Sequence, residues 1–148
     1  MNRRASTTAL GAAALLALGG CTTDRSDTSA ETAAHETLRE ALSATAAQDW
    51  EHVYELTSAA SRPANRTRWI EQRSDRDGGF IDRCVGDADG SPDIDLTTLE
   101  PGENSMIVEA VVWTRDDQGT VCHWRVVEEP TGWRVDGHVD RVRTEEPS

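Results

Sequence analysis

The chain contains no lysine, and all fifteen of its basic residues are therefore arginines. Aspartate and glutamate together number 27, which gives the 148-residue chain a formal charge of −12. The arginines form no basic cluster of the kind that binds a phosphate backbone or an anionic lipid surface. We therefore expect no nucleic acid partner and no binding to membrane lipid through surface charge.

Long apolar runs are also missing. The run Ala9–Leu18 is too short to cross a bilayer, which requires about 20 residues. It comes after two arginines, Arg3 and Arg4, and is followed by Gly19-Gly20-Cys21. A positive start, a short apolar stretch and small residues at its end are typical of an exported protein's processing segment.

The four residues that end this segment, Leu18-Gly19-Gly20-Cys21, resemble the lipobox of bacterial lipoproteins. The resemblance implies that residues 1–20 are a signal peptide that is removed. It also implies that Cys21 carries lipid and holds the protein on the outward side of the cell membrane. The alternatives are a signal peptide with a chance cysteine and a buried apolar helix. The export route, Sec or twin-arginine, stays open.

Only three cysteines are present. With Cys21 taken by lipid, Cys84 and Cys122 remain as an even pair in a compartment that permits disulfides, and we expect them to be bonded. A reactive or metal-binding thiol pair is the alternative, but such sites usually show much closer spacing.

Helical spacing dominates the next part of the chain, from Ala30 to Ser58, with a break at Gln48-Asp49 where Asp49 is a suitable N-cap. A third helix is predicted over Arg66–Arg73, burying Trp69 and Ile70. Residues 21–29 are small and polar and predict a flexible tether. Residues 30–140 then form one domain, and residues 141–148 a polar tail.

Four strands are predicted after the helices: Ile94–Leu99, Met106–Arg115, Thr120–Glu128 and Trp133–Val139. Side-chain pairing suggests a register with Val126 opposite Val135 and Arg125 opposite Asp136. In the preceding hairpin a left-handed Gly119 would place Val112 opposite Trp124. The alternation of apolar and polar residues then predicts a core face made of Met106, Val108, Ala110, Val112, Cys122, Trp124, Val126, Trp133 and Val135.

The order of elements implies an α+β domain with N-terminal helices packed on a curved antiparallel sheet. Together with the helix break Gln48-Asp49-Trp50 and the closing strand Trp133-Arg134-Val135-Asp136-Gly137, it resembles the nuclear-transport-factor-two-like (cystatin-like) cone fold. The resemblance covers residues 30–139 and implies a cavity between helices and sheet. We expect Tyr54, Trp124 and Trp133 to line that cavity.

The predicted outer face of the sheet contains histidines and a stripe of apolar residues. The predicted register puts His123 opposite His138, but two imidazoles without a third ligand do not make a zinc site, and we expect no metal. Apolar residues, Ile107, Val111, Trp113 and Val127, surround His123. Such a stripe predicts an interface, either in a homodimer or with an envelope protein.

No catalytic triad and no glycine-rich phosphate loop can be recognised in the sequence. We therefore expect a non-catalytic, lipid-anchored binding or scaffold module of the cell envelope that needs no cofactor. The alternative is a small-molecule binder or isomerase-like enzyme that uses the cone cavity, in which Tyr54 would require an acidic partner.

Overall fold

A computed structural model of the chain describes residues 23–74, 84–85, 91–113 and 115–140, with the side chains of residues 23–27 left aside. The predicted lipid site Cys21, the signal peptide and the polar tail lie outside the described residues. No helix in the described ranges is long and apolar enough to cross a membrane.

Three helices precede a four-stranded sheet in the described part of the chain. They are α1 (Thr23–Ala46), α2 (Trp50–Leu56) and α3 (Arg66–Ser74), followed by β1 (Asp93–Glu100), β2 (Ser105–Trp113), β3 (Gly119–Glu129) and β4 (Gly132–His138). The strands lie in chain order, and each pair of neighbours is antiparallel. The predicted α+β class and all four strands are confirmed.

Helix α1 begins at Thr23, so the prediction of a flexible tether over residues 21–29 is wrong from residue 23 onward. The segment contains neither proline nor glycine. Farther along, Ala34 and Leu38 are fully buried and hold the helix on the sheet. Once a packed helix exists, adding a turn costs little, and polar residues then continue it.

The break between α1 and α2 follows the prediction. Gln48 has a positive φ of 56°, which ends the first helix. Asp49 caps the second, and its carboxylate accepts a hydrogen bond from the backbone nitrogen of His52 at 3.2 Å. A left-handed residue followed by a capping aspartate turns the chain within two residues.

The β3–β4 register matches the prediction only at the turn. Val126 lies opposite Val135, as expected, but Arg125 lies opposite Gly137, because Asp136 is an extra residue in β4. This bulge shifts every later residue of β4 to the other face of the sheet. His138 therefore lies opposite Trp124 on the inner face, and the predicted His123–His138 pair is wrong.

The β2–β3 register differs from the predicted one by four residues. Trp124 lies opposite Val108 rather than Val112, and Trp113 lies opposite Gly119. The left-handed residue of the connection is Asp117, with φ of 54°, and not Gly119. Because four is an even number, every side chain keeps its predicted face.

All nine residues of the predicted core face are buried. They pack against the apolar face of α1 in a single core cluster, which also includes Cys84 and Val85. Helix α3, in contrast, buries no residue, so the predicted burial of Trp69 and Ile70 is wrong. Both are half-buried against a smaller cluster formed by Ala44, Trp50 and Val53.

Candidate functional site

A cleft of about 320 Å³ opens between α3, the segment that follows α2, and β4. Its volume is near the lower end of small-molecule sites. Among the described residues, ten line it: Thr57, Ser61, Trp69, Arg73, Trp124, Val135, Asp136, Gly137, His138 and Asp140. The bulge in β4 gives this cleft its composition, because it brings His138 to the inner side.

Trp124 belongs both to the core and to the cleft. Its side chain is only 2% exposed, and its ring meets that of His138 edge-on at 5.4 Å between centroids. The indole Nε1 is buried and has no hydrogen-bond partner in the described part of the chain. A buried donor without a partner is rare in folded proteins, because burying it costs free energy that only an acceptor recovers.

The opposite wall is formed by α3. Trp69 and Arg73 are four residues apart and therefore lie on one face of the helix. The Arg73 guanidinium lies over the Trp69 ring, 4.9 Å from its centroid. Its Nη1 is buried and, among the described residues, has no hydrogen-bond partner. A second lining residue thus has a donor that the described residues leave unsatisfied.

Asp136, the bulge residue, is already occupied. Its carboxylate accepts a hydrogen bond from Ser58 Oγ at 2.6 Å and one from Ser61 Oγ at 3.0 Å. Arg125 lies 3.9 Å away on the outer side. The single Ser61 hydroxyl proton is shared between the Asp136 carboxylate and the Asp136 carbonyl. Asp136 therefore ties the segment after α2 to β4, and its carboxylate already accepts hydrogen bonds from protein donors.

His138 lies at the rim of the cleft, with Nδ1 3.4 Å from Asp140. Burial lowers the pKa of its imidazole below 6.5, an effect that Asp140 opposes and His123 reinforces. At neutral pH the ring is thus uncharged and can accept as well as donate a hydrogen bond.

The cysteine pair lies beside this histidine. The Cys84 and Cys122 sulfurs are 1.93 Å apart, at disulfide distance, and their Cα atoms are 6.0 Å apart. The predicted pair is therefore present. A ring nitrogen of His138 and both sulfurs lie within 4.8 Å of one another. Sulfurs bonded to each other provide no thiolate, so this cluster in its oxidised form is a structural staple rather than a zinc site.

Of the three predicted cavity residues, only Trp124 lines the cleft. Tyr54 is buried beside α3, where its hydroxyl donates to the Pro63 carbonyl at 2.8 Å. Trp133 is buried in the core near the β3–β4 turn. Sequence reasoning missed Trp69 and Arg73, although their spacing on α3 was a usable signal.

The outer face of the sheet contains the predicted interface residues. Trp113 is 38% exposed and donates from Nε1 to Asp95 at 2.8 Å, while Val111 is half-buried. His123 contacts Glu109 at 3.0 Å, its partner across the strands. An interface through this face stays a prediction.

Comparison with the profiles of known families, with curated proteins and with solved structures finds no match to this chain.

Proposed function

We propose that this protein is a membrane-anchored extracytoplasmic lipoprotein that acts as a non-catalytic binding module of the cell envelope. Cys21 would carry the lipid, and the α+β domain would present its cleft outside the membrane. A cone-like curvature of the sheet around that cleft belongs to the same proposal.

The observation that carries this proposal is the pairing of Cys84 with Cys122. The two residues are 38 positions apart, and their sulfurs lie at bonding distance. Disulfides persist in oxidising compartments and are rare in the cytosol, where thiols are kept reduced. A disulfide staple together with a lipobox-like sequence is the combination expected of an exported, anchored domain.

A binding role without catalysis is supported by the hydrogen bonds that the candidate catalytic groups, Tyr54 and Asp136, already make. An isomerase of the cone type needs an acid or phenol aimed into its cavity. Here the Tyr54 hydroxyl is bonded to a backbone carbonyl, and the Asp136 carboxylate is held by two serines. Both groups are committed to structural bonds.

The second candidate, an isomerase-like enzyme, has one observation in its favour. His138 is uncharged at neutral pH, lies beside Asp140 and faces the cleft, as a general base would. Turnover of a carbonyl substrate that is lost in His138→Gln, with the fold retained, would support the enzyme over the binding module.

The anchor is tested by expressing the full chain in a bacterial host fed with radiolabelled palmitate. We expect the wild-type protein to be labelled, shortened and recovered with membranes, and Cys21→Ser to be unlabelled. Cys84→Ser is the matched control and should keep the label, because it removes a different sulfur. An unlabelled wild-type protein in the soluble fraction would contradict the proposal.

A further inference from the structure

We propose that the cleft binds a small organic monocarboxylate, whose carboxylate accepts hydrogen bonds from Arg73 and Trp124. This inference rests on the proposed binding role and names its ligand class. It does not depend on the lipid anchor, since none of the residues involved belongs to the anchoring segment.

Two residues that line the cleft, Trp124 and Arg73, each have an unused hydrogen-bond donor. Trp124 Nε1 and Arg73 Nη1 are buried and lack a hydrogen-bond partner among the described residues. Both can only donate. The tryptophan side chain is 98% buried, since its exposed fraction is 2%. The missing partner of each is therefore an acceptor, and a ligand that enters the cleft can supply it.

The charge of Arg73 indicates which acceptor the cleft prefers. A guanidinium is always charged, and it binds the planar carboxylate group especially well. Asp136 does not compete for this role, because two serines already donate to its carboxylate and Arg125 lies on its other side. A carboxylate has two acceptor oxygens, one for each of the two unsatisfied donors.

The acidic residues around the cleft distinguish one anion from another. Asp136 and Asp140 both line the cleft, and the whole chain carries −12. A dianion such as phosphate would be repelled by this surrounding more strongly than a singly charged group. Local recognition by two donors within an acidic surface therefore favours a monoanion.

The apolar wall and the volume of the cleft limit what the rest of the ligand can be. Trp69, Trp124 and Val135 provide apolar wall, and the space of about 320 Å³ accommodates a single ring with a short substituent. The Trp69 ring is already stacked with the Arg73 guanidinium, which fixes the guanidinium beside that wall. A flat apolar body attached to the carboxylate fits this arrangement.

The test uses the full chain, extracted in detergent and labelled with nitrogen-15, and benzoate as the probe. The indole N–H resonance of Trp124, assigned by its loss in Trp124→Phe, should move downfield and saturate as benzoate is added. Benzamide has the same shape without the charge and should bind about tenfold more weakly or worse. Inorganic phosphate should also bind more weakly than benzoate.

Arg73→Gln should raise the dissociation constant for benzoate by about tenfold or more, because it removes the charged donor. Arg68→Gln is the matched control: Arg68 is an exposed residue of the same helix outside the cleft, and its loss should change the constant by less than about twofold. Equal weakening by both variants, equal binding of benzamide, tighter binding of phosphate, or a Trp124 resonance that benzoate leaves unmoved would overturn the inference.

Failure of this inference and failure of the proposed function give different results. Palmitate labelling of wild-type protein that does not bind benzoate would leave the anchored module standing without this ligand class. Benzoate binding to a protein that carries no lipid would leave the ligand class standing without the anchor.

Discussion

Two histidines, His35 and His138, make the free energy of unfolding depend on pH. Burial lowers the pKa of His35 below 6.5, opposed by Glu31 and reinforced by Arg39. Its Nε2 lies 2.8 Å from Thr98 Oγ1 and so links α1 to β1. Burial also lowers the pKa of His138, against the opposing effect of Asp140. The fold therefore favours the neutral form of both rings.

We predict that the free energy of unfolding decreases as the pH falls below about 6.5. A lowered folded-state pKa means that the unfolded chain binds more protons in this window, so stability rises with pH across it. The double variant His35→Gln/His138→Gln should flatten this slope, measured by urea unfolding at a series of pH values.

The reference for this prediction is the same measurement at about pH 8, where both imidazoles are neutral in the folded and the unfolded chain. A wild-type protein that gains stability between about pH 7 and 6, or a double variant with an unchanged slope, would contradict the assignment.

The helices differ sharply in how they are held. Helix α1 buries Ala34, Leu38 and Leu42 against the sheet, whereas α3 buries no residue. Helix α3 is held instead by the edge-on contact of Trp69 with Tyr54, at 5.3 Å, and by the Arg66 guanidinium, which lies 5.9 Å from the centroid of the Tyr54 ring. Helix α1 is thus the structural support of the sheet, and α3 is a wall of the cleft.

We predict that Leu38→Ala destabilises the protein by about 2–5 kcal/mol, because Leu38 is fully buried and its loss leaves a cavity under the sheet. Urea unfolding at neutral pH measures the change. Leu96→Ala is the control, since Leu96 is the same residue type but half-buried at the edge of the core, and its cost should be clearly smaller. Equal costs would show that α1 does not support the sheet in this way.

For the whole molecule, the cysteine pair joins the short segment Cys84–Val85 to β3 in the centre of the sheet. This segment belongs to the main core cluster. Closing a loop of 38 residues removes conformational freedom from the unfolded chain. For a small domain, with a total stability of about 5–15 kcal/mol, such a constraint is a large contribution.

We predict that Cys84→Ala/Cys122→Ala lowers the free energy of unfolding by about 3–4 kcal/mol. Reductant should destabilise the wild-type protein by a similar amount and leave the double variant unchanged, as urea unfolding with and without reductant would reveal. A wild-type protein insensitive to reductant under conditions that reduce all its disulfides would contradict the role of this pair.

Much of the fold could be predicted from the sequence because it depends on local chemistry. Asp49 caps α2 through its own carboxylate. The nine core-face residues follow from the period of two along a strand, which survives any even shift of register. For the same reason that period could not distinguish the predicted β2–β3 register from the observed one, four residues away.

The candidate site was largely beyond sequence reasoning. Of its two unsatisfied donors, Trp124 was expected at a cavity, but Arg73 was not, and His138 was placed on the wrong face. The cause is the bulge at Asp136. Its carboxylate is held by Ser58, which is 78 positions away, so the signal for the bulge is not local in the chain.

The sequence by itself determined the order of helices and strands, the face of the nine core residues and, with Cys21 set aside as the expected lipid site, which cysteines pair, because each depends on neighbouring residues or on simple counting. Only the tertiary structure decided the register of β2 with β3, the bulge in β4 and, through it, the membership of the cleft. These depend on contacts between residues far apart in the chain, such as that of Ser58 with Asp136, and such contacts form only when the chain folds.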